Sequence, residues 1–168
     1  FTCIGGDIRC NRSRMGIEAR YLGHGEQVHD INYTLRHNGV KTQCNINSNG
    51  VLAGKSKKTL RGTIDFVRGC KGAEGTEHET VLLVDDDVEN KSVPVILCNE
   101  DDVAGNHGAA IGHVRPEQMF YLASRGLSQE AAEQMFVRAM LEQAAIDAPD
   151  QASREGVLRL ATTLVDGF

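Results

Sequence analysis

The chain has 168 residues, 40% apolar and 24% charged, with a formal net charge of −5, which fits one ordinary domain or two small ones and excludes disorder and collagen. Eighteen glycines against three prolines, no tryptophan and 5% aromatics describe a chain that needs turns more than large rings. The mild acidity argues against a nucleic-acid binder, whose footprint is a basic face, and no apolar run approaches the ~20 residues that span a bilayer. No charged-then-apolar segment opens the chain, so a cytoplasmic location is expected. Phe1 stands where a Met would start a chain, in a stretch that already reads as mid-pattern, so a piece of a longer or processed protein is expected.

Up to Arg115 the chain alternates in short stretches: Ile17, Ala19 and Tyr21; Val28, Asp30, Asn32 and Thr34; Thr42, Cys44 and Ile46; Thr59, Arg61, Thr63 and Asp65 against Leu60, Gly62, Ile64 and Phe66. Period two over four to eight residues predicts strands. Between them, turns are predicted at Gly23-His24-Gly25, Asn38-Gly39, Asn47-Ser48-Asn49-Gly50, Gly69 to Gly75, Asp85-Asp86-Asp87 and Gly105-Asn106, because Asn and Gly accept left-handed corners. The basic run Lys55, Lys57, Lys58 and Arg61 reads as a solvated strand face. Short strands rich in small residues suit a sandwich or a β-helix. A sandwich core usually wants larger rings, whereas stacked coils fill a narrow interior with small residues; with no hexapeptide rhythm, any solenoid here would be an irregular right-handed one.

After Arg115 the signals turn helical. Pro116 suits a first turn, Met119, Phe120, Leu122 and Ala123 form an apolar stripe, and Gly126 is a left-handed stop. Ser128 then caps a second helix with Ala132, Met135, Phe136, Ala139, Met140 and Ala144 on one side. Asp147 to Asp150 breaks it, and Val157 to Val165 marks a third helix whose start Gly156 weakens. The expected division is a β-helix core over residues 1–115 and a small helical domain over residues 116–168. The tail holds too little core to stand alone, so it packs on the sheet or on a partner.

Five widely spaced cysteines, Cys3, Cys10, Cys44, Cys70 and Cys98, include no C-x-x-C pair, which argues against a disulfide framework or a local zinc site. Cys70, between Gly69 and Lys71, is expected to be exposed in an electropositive setting that lowers its thiol pKa. Cys44 and Cys98 sit among strand residues. No P-loop, dinucleotide fingerprint, H-E-x-x-H or G-x-S-x-G occurs. His24 and His29 would face opposite sides of a continuous strand, and the Asp85–Asp87 run is better read as an acidic turn than as a calcium-binding lyase site.

The segment Asp101-Asp102-Val103-Ala104-Gly105-Asn106-His107-Gly108-Ala109-Ala110-Ile111-Gly112, followed by Phe120-Tyr121-Leu122-Ala123-Ser124-Arg125-Gly126-Leu127, resembles the C-terminal region of the SufB/SufD family, scaffold subunits of the SUF iron–sulfur cluster assembly system. Members carry D-D-V-x-C-x-H-G-A-x-x-G and then a helix ending in F-Y-L-x-S-R-G-[LI]. The likeness extends upstream through Asp30, His37-Asn38, Thr42, Gly50-Val51-Leu52, Gly54, Gly62, Ile64 and Leu82-Leu83, so it covers roughly Gly25 to Leu141. Each motif is weak and their order is specific.

The resemblance implies a non-enzymatic scaffold: a right-handed parallel β-helix that dimerises with a SufB/SufD-like partner or with itself, and a helical domain that docks a SufC-type ATPase. The docking face would centre on Phe120, Met135, Phe136 and Met140. It also implies a transient iron–sulfur cluster, with no tightly bound cofactor, held by cysteine and histidine ligands. His107 matches the family histidine and is the leading ligand; His78, Cys98 and Cys44 are further candidates. Gly105 stands where the family pattern has cysteine, and Asn106-His107 where SufB-like chains have a charged pair, which places the chain nearer SufD. The competing readings are a SufD-like structural partner without cluster ligation, with His107 a turn imidazole bonded to backbone, and a β-helix carbohydrate-active enzyme, for which aromatics are too few.

Overall fold

The structure, a computed structural model, describes residues 1–146 and 148–166. Eight strands come first: β1 (Thr2–Ile8), β2 (Arg14–Gly23), β3 (Val28–His37), β4 (Gln43–Leu52), β5 (Lys57–Phe66), β6 (Ala73–Leu83), β7 (Glu89–Cys98) and β8 (Val103–His113). Three helices follow: α1 (Pro116–Ser124), α2 (Gln129–Ile146) and α3 (Gln151–Asp166). Odd strands form one four-stranded sheet, β1-β3-β5-β7, and even strands another, β2-β4-β6-β8. Every pairing is parallel, each strand lying beside the strand two places on. This is a parallel β-solenoid of four coils with two strands per coil.

The register explains why no strict repeat is visible in the chain. Thr2 pairs with Ile31 and Val28 with Lys57, an offset of 29 in each case, whereas Gln43 pairs with Glu74 (31), Lys57 with Glu89 (32) and Ala73 with Val103 (30). The strands align while the turns between them change length, so periodicity survives in space and not in sequence. Within each strand, alternate residues point into the lumen. Ile31, Tyr33 and Leu35 of β3, Cys44 and Ile46 of β4, and Leu60, Ile64 and Phe66 of β5 are all buried in one cluster.

Several predicted corners are strand interior. Asn47-Ser48-Asn49-Gly50 lies within β4, Gly75 within β6 and Gly105-Asn106 within β8. Their glycines make room for a neighbour instead of turning the chain. A Cβ on Gly50 would overlap the Tyr21 ring, one on Gly62 would overlap the Glu77 carboxyl, and one on Gly105 would lie 3.0 Å from Phe66 Cε2. True corners fall at His24–Gln27, Asn38–Thr42 and Asp85–Val88, where Gly25 has φ +57°.

The helical signals hold at α1 and shift at α2 and α3. Arg125 ends α1; the Gly126 N–H then donates to Ala123 O and the Leu127 N–H to Leu122 O, with Gly126 at φ +90°, the paired closure that a left-handed glycine permits. Ser128 Oγ caps α2 by accepting the Ala131 N–H at 3.1 Å. The buried face of α2 is Ala132, Val137, Leu141 and Ala145, not the stripe through Met135 and Phe136, because the helix packs on two neighbours at once. With Ala161 and Val165 of α3, Val137 and Leu141 cover Leu22 and Val51 on the outer face of the even-numbered sheet. The tail does pack on the sheet. Helix α3 begins six residues earlier than predicted, since Asp150 Oδ1 accepts the Ser153 N–H at 2.7 Å and so starts a helix instead of only ending one; Gly156 is therefore interior. Asp147, part of the predicted break, lies outside the described residues.

Filling a vacated lumen position should therefore be disruptive. Gly50→Ala is expected to lower stability by roughly 1–3 kcal/mol, the cost of overpacking a closed interior, seen as a lower urea midpoint. Gly16→Ala, where the nearest neighbour of a Cβ is Asn45 O at 3.8 Å, should leave the midpoint almost unmoved.

Candidate functional site at the open coil

The lumen is not purely apolar. Lys58 is 1% exposed, because it shares the inward parity of Leu60 and Ile64 on β5, and the solvated basic face predicted for this run loses it to the interior. Its Nζ donates to Glu79, whose Oε1 also accepts the Tyr21 hydroxyl at 3.0 Å, and it reaches Ser92 Oγ at 3.3 Å. Glu77 and Glu79 point inward, 5% and 3% exposed, while His78 between them is exposed. Burial, then the Glu79 charge, pushes the Glu77 carboxyl up to about 7, against a smaller opposing pull from Lys58. Its Oε2 has no hydrogen-bond partner. Burial likewise lowers the Lys58 pKa, with Glu79 and Glu77 opposing. The residue pattern carried this signal: Glu77 and Glu79 share the parity of Ala73, Gly75 and Val81.

Among the described residues no coil stacks on the fourth, formed by β7 and β8, so its lumen side is open. Gly105 pairs with Gly75 and His107 with Glu77, both on inward positions, and His107 is exposed. Cys98, the last residue of β7, pairs with the buried Phe66 and is also exposed; its thiol donates to Glu100 O at 3.2 Å. Phe66 touches both sites, since it also faces Gly105. By register, Cys98 and His107 therefore lie on the lumen side of one open coil.

The other candidates sit elsewhere. His78 pairs with Gly108 on the outer face, where a Cβ on Gly108 would lie 3.1 Å from His78 Nδ1. Cys44 is in the lumen column below Gly75 and Gly105, 6% exposed, with its thiol pushed up to about 11 by burial against a weaker backbone hydrogen bond from Thr76. Cys70 overturns its expected setting: it is fully buried, and burial first, then the Glu100 charge, raises its pKa. The turn stacked on it from the next coil brings the Glu100 carboxylate, which accepts the Gly69 N–H at 2.8 Å. His24 and His29 do not face apart on one strand, because β2 ends at Gly23 and His24 lies in the corner before β3; Gln27 lies within 3.1 Å of His24 Nε2 and 3.4 Å of His29 Nε2. Among the described residues no three His, Cys, Asp or Glu side chains converge as a metal site.

On the helices, Phe120 is 76% exposed and Met135 42% exposed, Phe136 is half-buried, and Met140 packs against the core beneath α2. An apolar groove between α1 and α2 is lined by Met119, Phe120, Ala123, Leu127 and Ala132 together with Val84 and Val114. Among the described residues no helix is long and apolar enough to cross a membrane.

The Glu77 shift fixes the sign of a pH effect. Because the folded-state pKa is about 7 against an ordinary 4.5, the folded chain holds a proton that the unfolded chain releases between those values. Stability from this group is complete at the acid side of the window and falls as pH rises through it, by up to roughly 3 kcal/mol. Urea midpoints at pH 5 and pH 8 are expected to differ in that sense, and Glu77→Gln should flatten the difference. Lys58→Met, which strands Glu79 in the lumen, should destabilise by roughly 3–5 kcal/mol.

Residues 6–140 match the family described as SUF system FeS cluster assembly, SufBD core domain. An iron-sulfur cluster assembly protein SufD of Bacillus subtilis is 29% identical over 120 residues, covering 71% of this chain and 28% of that protein. Iron-sulfur cluster assembly SufBD family proteins of Mycobacterium leprae and Staphylococcus saprophyticus are each 31% identical, over 139 and 122 residues, covering 83% and 73% of this chain but 16% and 26% of theirs. The chain thus spans less than a third of the length of these relatives. With four-fifths of its residues inside the family match and the parallel solenoid to go with it, the chain belongs to the SufBD family of SUF iron–sulfur cluster assembly proteins.

Proposed function

We propose that this chain is the scaffold portion of a cytoplasmic SUF assembly subunit, without enzymatic turnover of its own, in which His107 and Cys98 hold iron of a nascent cluster at the open coil. The observation that carries this is the placement of an exposed imidazole and an exposed thiol on the lumen side of the same coil. Thiolate and imidazole are the donors that iron–sulfur chemistry uses. Gly105 leaves no thiol at the family position, and Cys98, stacked on Phe66 by register, is the thiol that takes its place on the same coil. The cluster is cargo, so open positions on the iron suit the task.

Residues 1–115 form the scaffold and dimerisation part, and residues 116–168 the docking part. Support for dimerisation comes from the unstacked edge of β7 and β8, which exposes Val93, Leu97 and Ile111 and would pair with a SufB/SufD-like partner or a second copy. Exposed Phe120 and Met135, flanked by Phe136 and Met140, suit a SufC-type ATPase. A second reading keeps these partners and removes the ligation. It is favoured by Phe66 and Ile96 filling the space at Gly105, each within 3.0–3.2 Å of a Cβ there.

Anaerobic loading with iron and sulfide separates the two. Ligation predicts bound iron that His107→Ala and Cys98→Ser each weaken roughly 10–100-fold, the range for changes around a metal ligand set, while His78→Ala has little effect. Equal iron content in all four proteins would leave the structural-partner reading. Phe136→Asp with Met135→Glu should abolish co-purification with the ATPase in either case.

A further inference from the structure

Cys70 is a fully buried thiol in a corner of the third coil. It lies in the turn after β5, and Cys98 opens the turn after β7, which stacks on the first. The two turns are tied by the Gly69 N–H donating to Glu100 Oε2 at 2.8 Å, the Gly72 N–H to Asp102 O at 2.6 Å and the Asn99 N–H to Phe66 O at 2.9 Å. By register Cys98 stacks on Phe66, and the turn that follows Phe66 closes with the Cys70 N–H donating to Val67 O at 3.1 Å, so the two cysteines border the same stacked corner. Cys98 also lines an open hollow with Arg68, Lys71, Glu100 and Asp101, through which a reagent reaches the exposed thiol from solvent. Cys70 itself has no exposure and can react only with what Cys98 presents to it.

We propose that Cys98 and Cys70 form a redox-active dithiol, with Cys98 the entry thiol and Cys70 the resolving thiol, closed by a disulfide oxidant such as glutathione disulfide. The Cys98 thiolate attacks one sulfur of the oxidant, forming a mixed disulfide and releasing one glutathione thiolate. The Cys70 thiolate then attacks the Cys98 sulfur, forming the Cys70–Cys98 bond and releasing the second glutathione. Two protein thiols are oxidised and one oxidant disulfide is reduced; the two protons lost by the protein thiols pass to the two released glutathione thiolates, giving two glutathione thiols with no net proton release. The bond staples the stacked turns of the third and fourth coils. It also withdraws Cys98 from the open coil, so that, resting on the ligand reading above, oxidation switches off iron binding.

The test uses the full chain with Cys3→Ser and Cys10→Ser, which removes the two other exposed thiols and leaves Cys44, Cys70 and Cys98. Treated with glutathione disulfide, it should lose two of three thiols, carry no glutathione, and yield a Cys70–Cys98 cross-linked peptide that a reductant reopens. Adding Cys70→Ser should leave stable glutathione on Cys98. Adding Cys98→Ser should leave Cys70 reduced, which covers the case of a Cys70 variant that folds poorly. A mixed disulfide that persists on Cys98 with Cys70 still reduced, or a cross-link that joins different cysteines, overturns the proposal. The peptide map reads the disulfide whether or not iron binds. Failure of the ligand reading would instead appear as unchanged iron content in Cys98→Ser.

Discussion

Every property of this molecule depends on the alignment of one coil over the next. In a parallel ladder a residue sits directly on its register partner and shares its side of the sheet. A single parity choice per strand therefore decides what enters the lumen for the whole stack. Ile46, Glu77 and His107 form one such column, and His37, Phe66 and Cys98 another. The first runs from an apolar layer through a buried carboxyl to an exposed imidazole. The second runs from a buried imidazole, stacked on the Phe66 ring at 4.8 Å, to an exposed thiol. Both columns become chemically accessible only at the fourth coil.

The same alignment makes the polar lumen tolerable. A lysine, two glutamates and a tyrosine inside a narrow solenoid would be destabilising unless their geometry were closed by mutual hydrogen bonds. Glu79 receives both Lys58 and Tyr21, from β5 and β2. Glycines opposite the bulky groups, Gly62 before Glu77 and Gly50 before Tyr21, leave the volume these side chains fill. The high glycine content thus serves two purposes, corners in some places and lumen clearance in others. His37 follows the same logic. Thr42 spends its hydroxyl proton on Gly39 O, so the imidazole donates from Nδ1 to Thr42 Oγ1 at 2.6 Å, and burial keeps it from charging against a weaker opposing pull from Asp65.

Much of this was legible in the residues, and the exceptions have physical causes. Alternation located the strands, and the order of motifs located the family. Asn47-Ser48-Asn49-Gly50 and Gly105-Asn106 misled because composition records a glycine's presence and not what occupies the space beside it. Lys58 misled in the opposite way: its parity matched Leu60, but an isolated charge argues for solvent until its partner, 21 residues on in sequence, is seen across the lumen. Cys70 misled because its sequence neighbour Lys71 was visible and its spatial neighbour Glu100, on the next coil, was not. His107 and Cys98 could each be named from the chain; their shared side of one coil follows from the register alone.

The proposed iron pair is the claim on which the functional account rests, and the coordination shell of the bound metal tests it most directly. X-ray absorption of the iron-loaded chain, prepared with iron alone under anaerobic conditions, should show a sulfur and an imidazole nitrogen in the first shell. The sulfur contribution should vanish in Cys98→Ser and the imidazole contribution in His107→Ala. An all-oxygen shell in the unsubstituted chain, or one that neither substitution alters, would contradict the account.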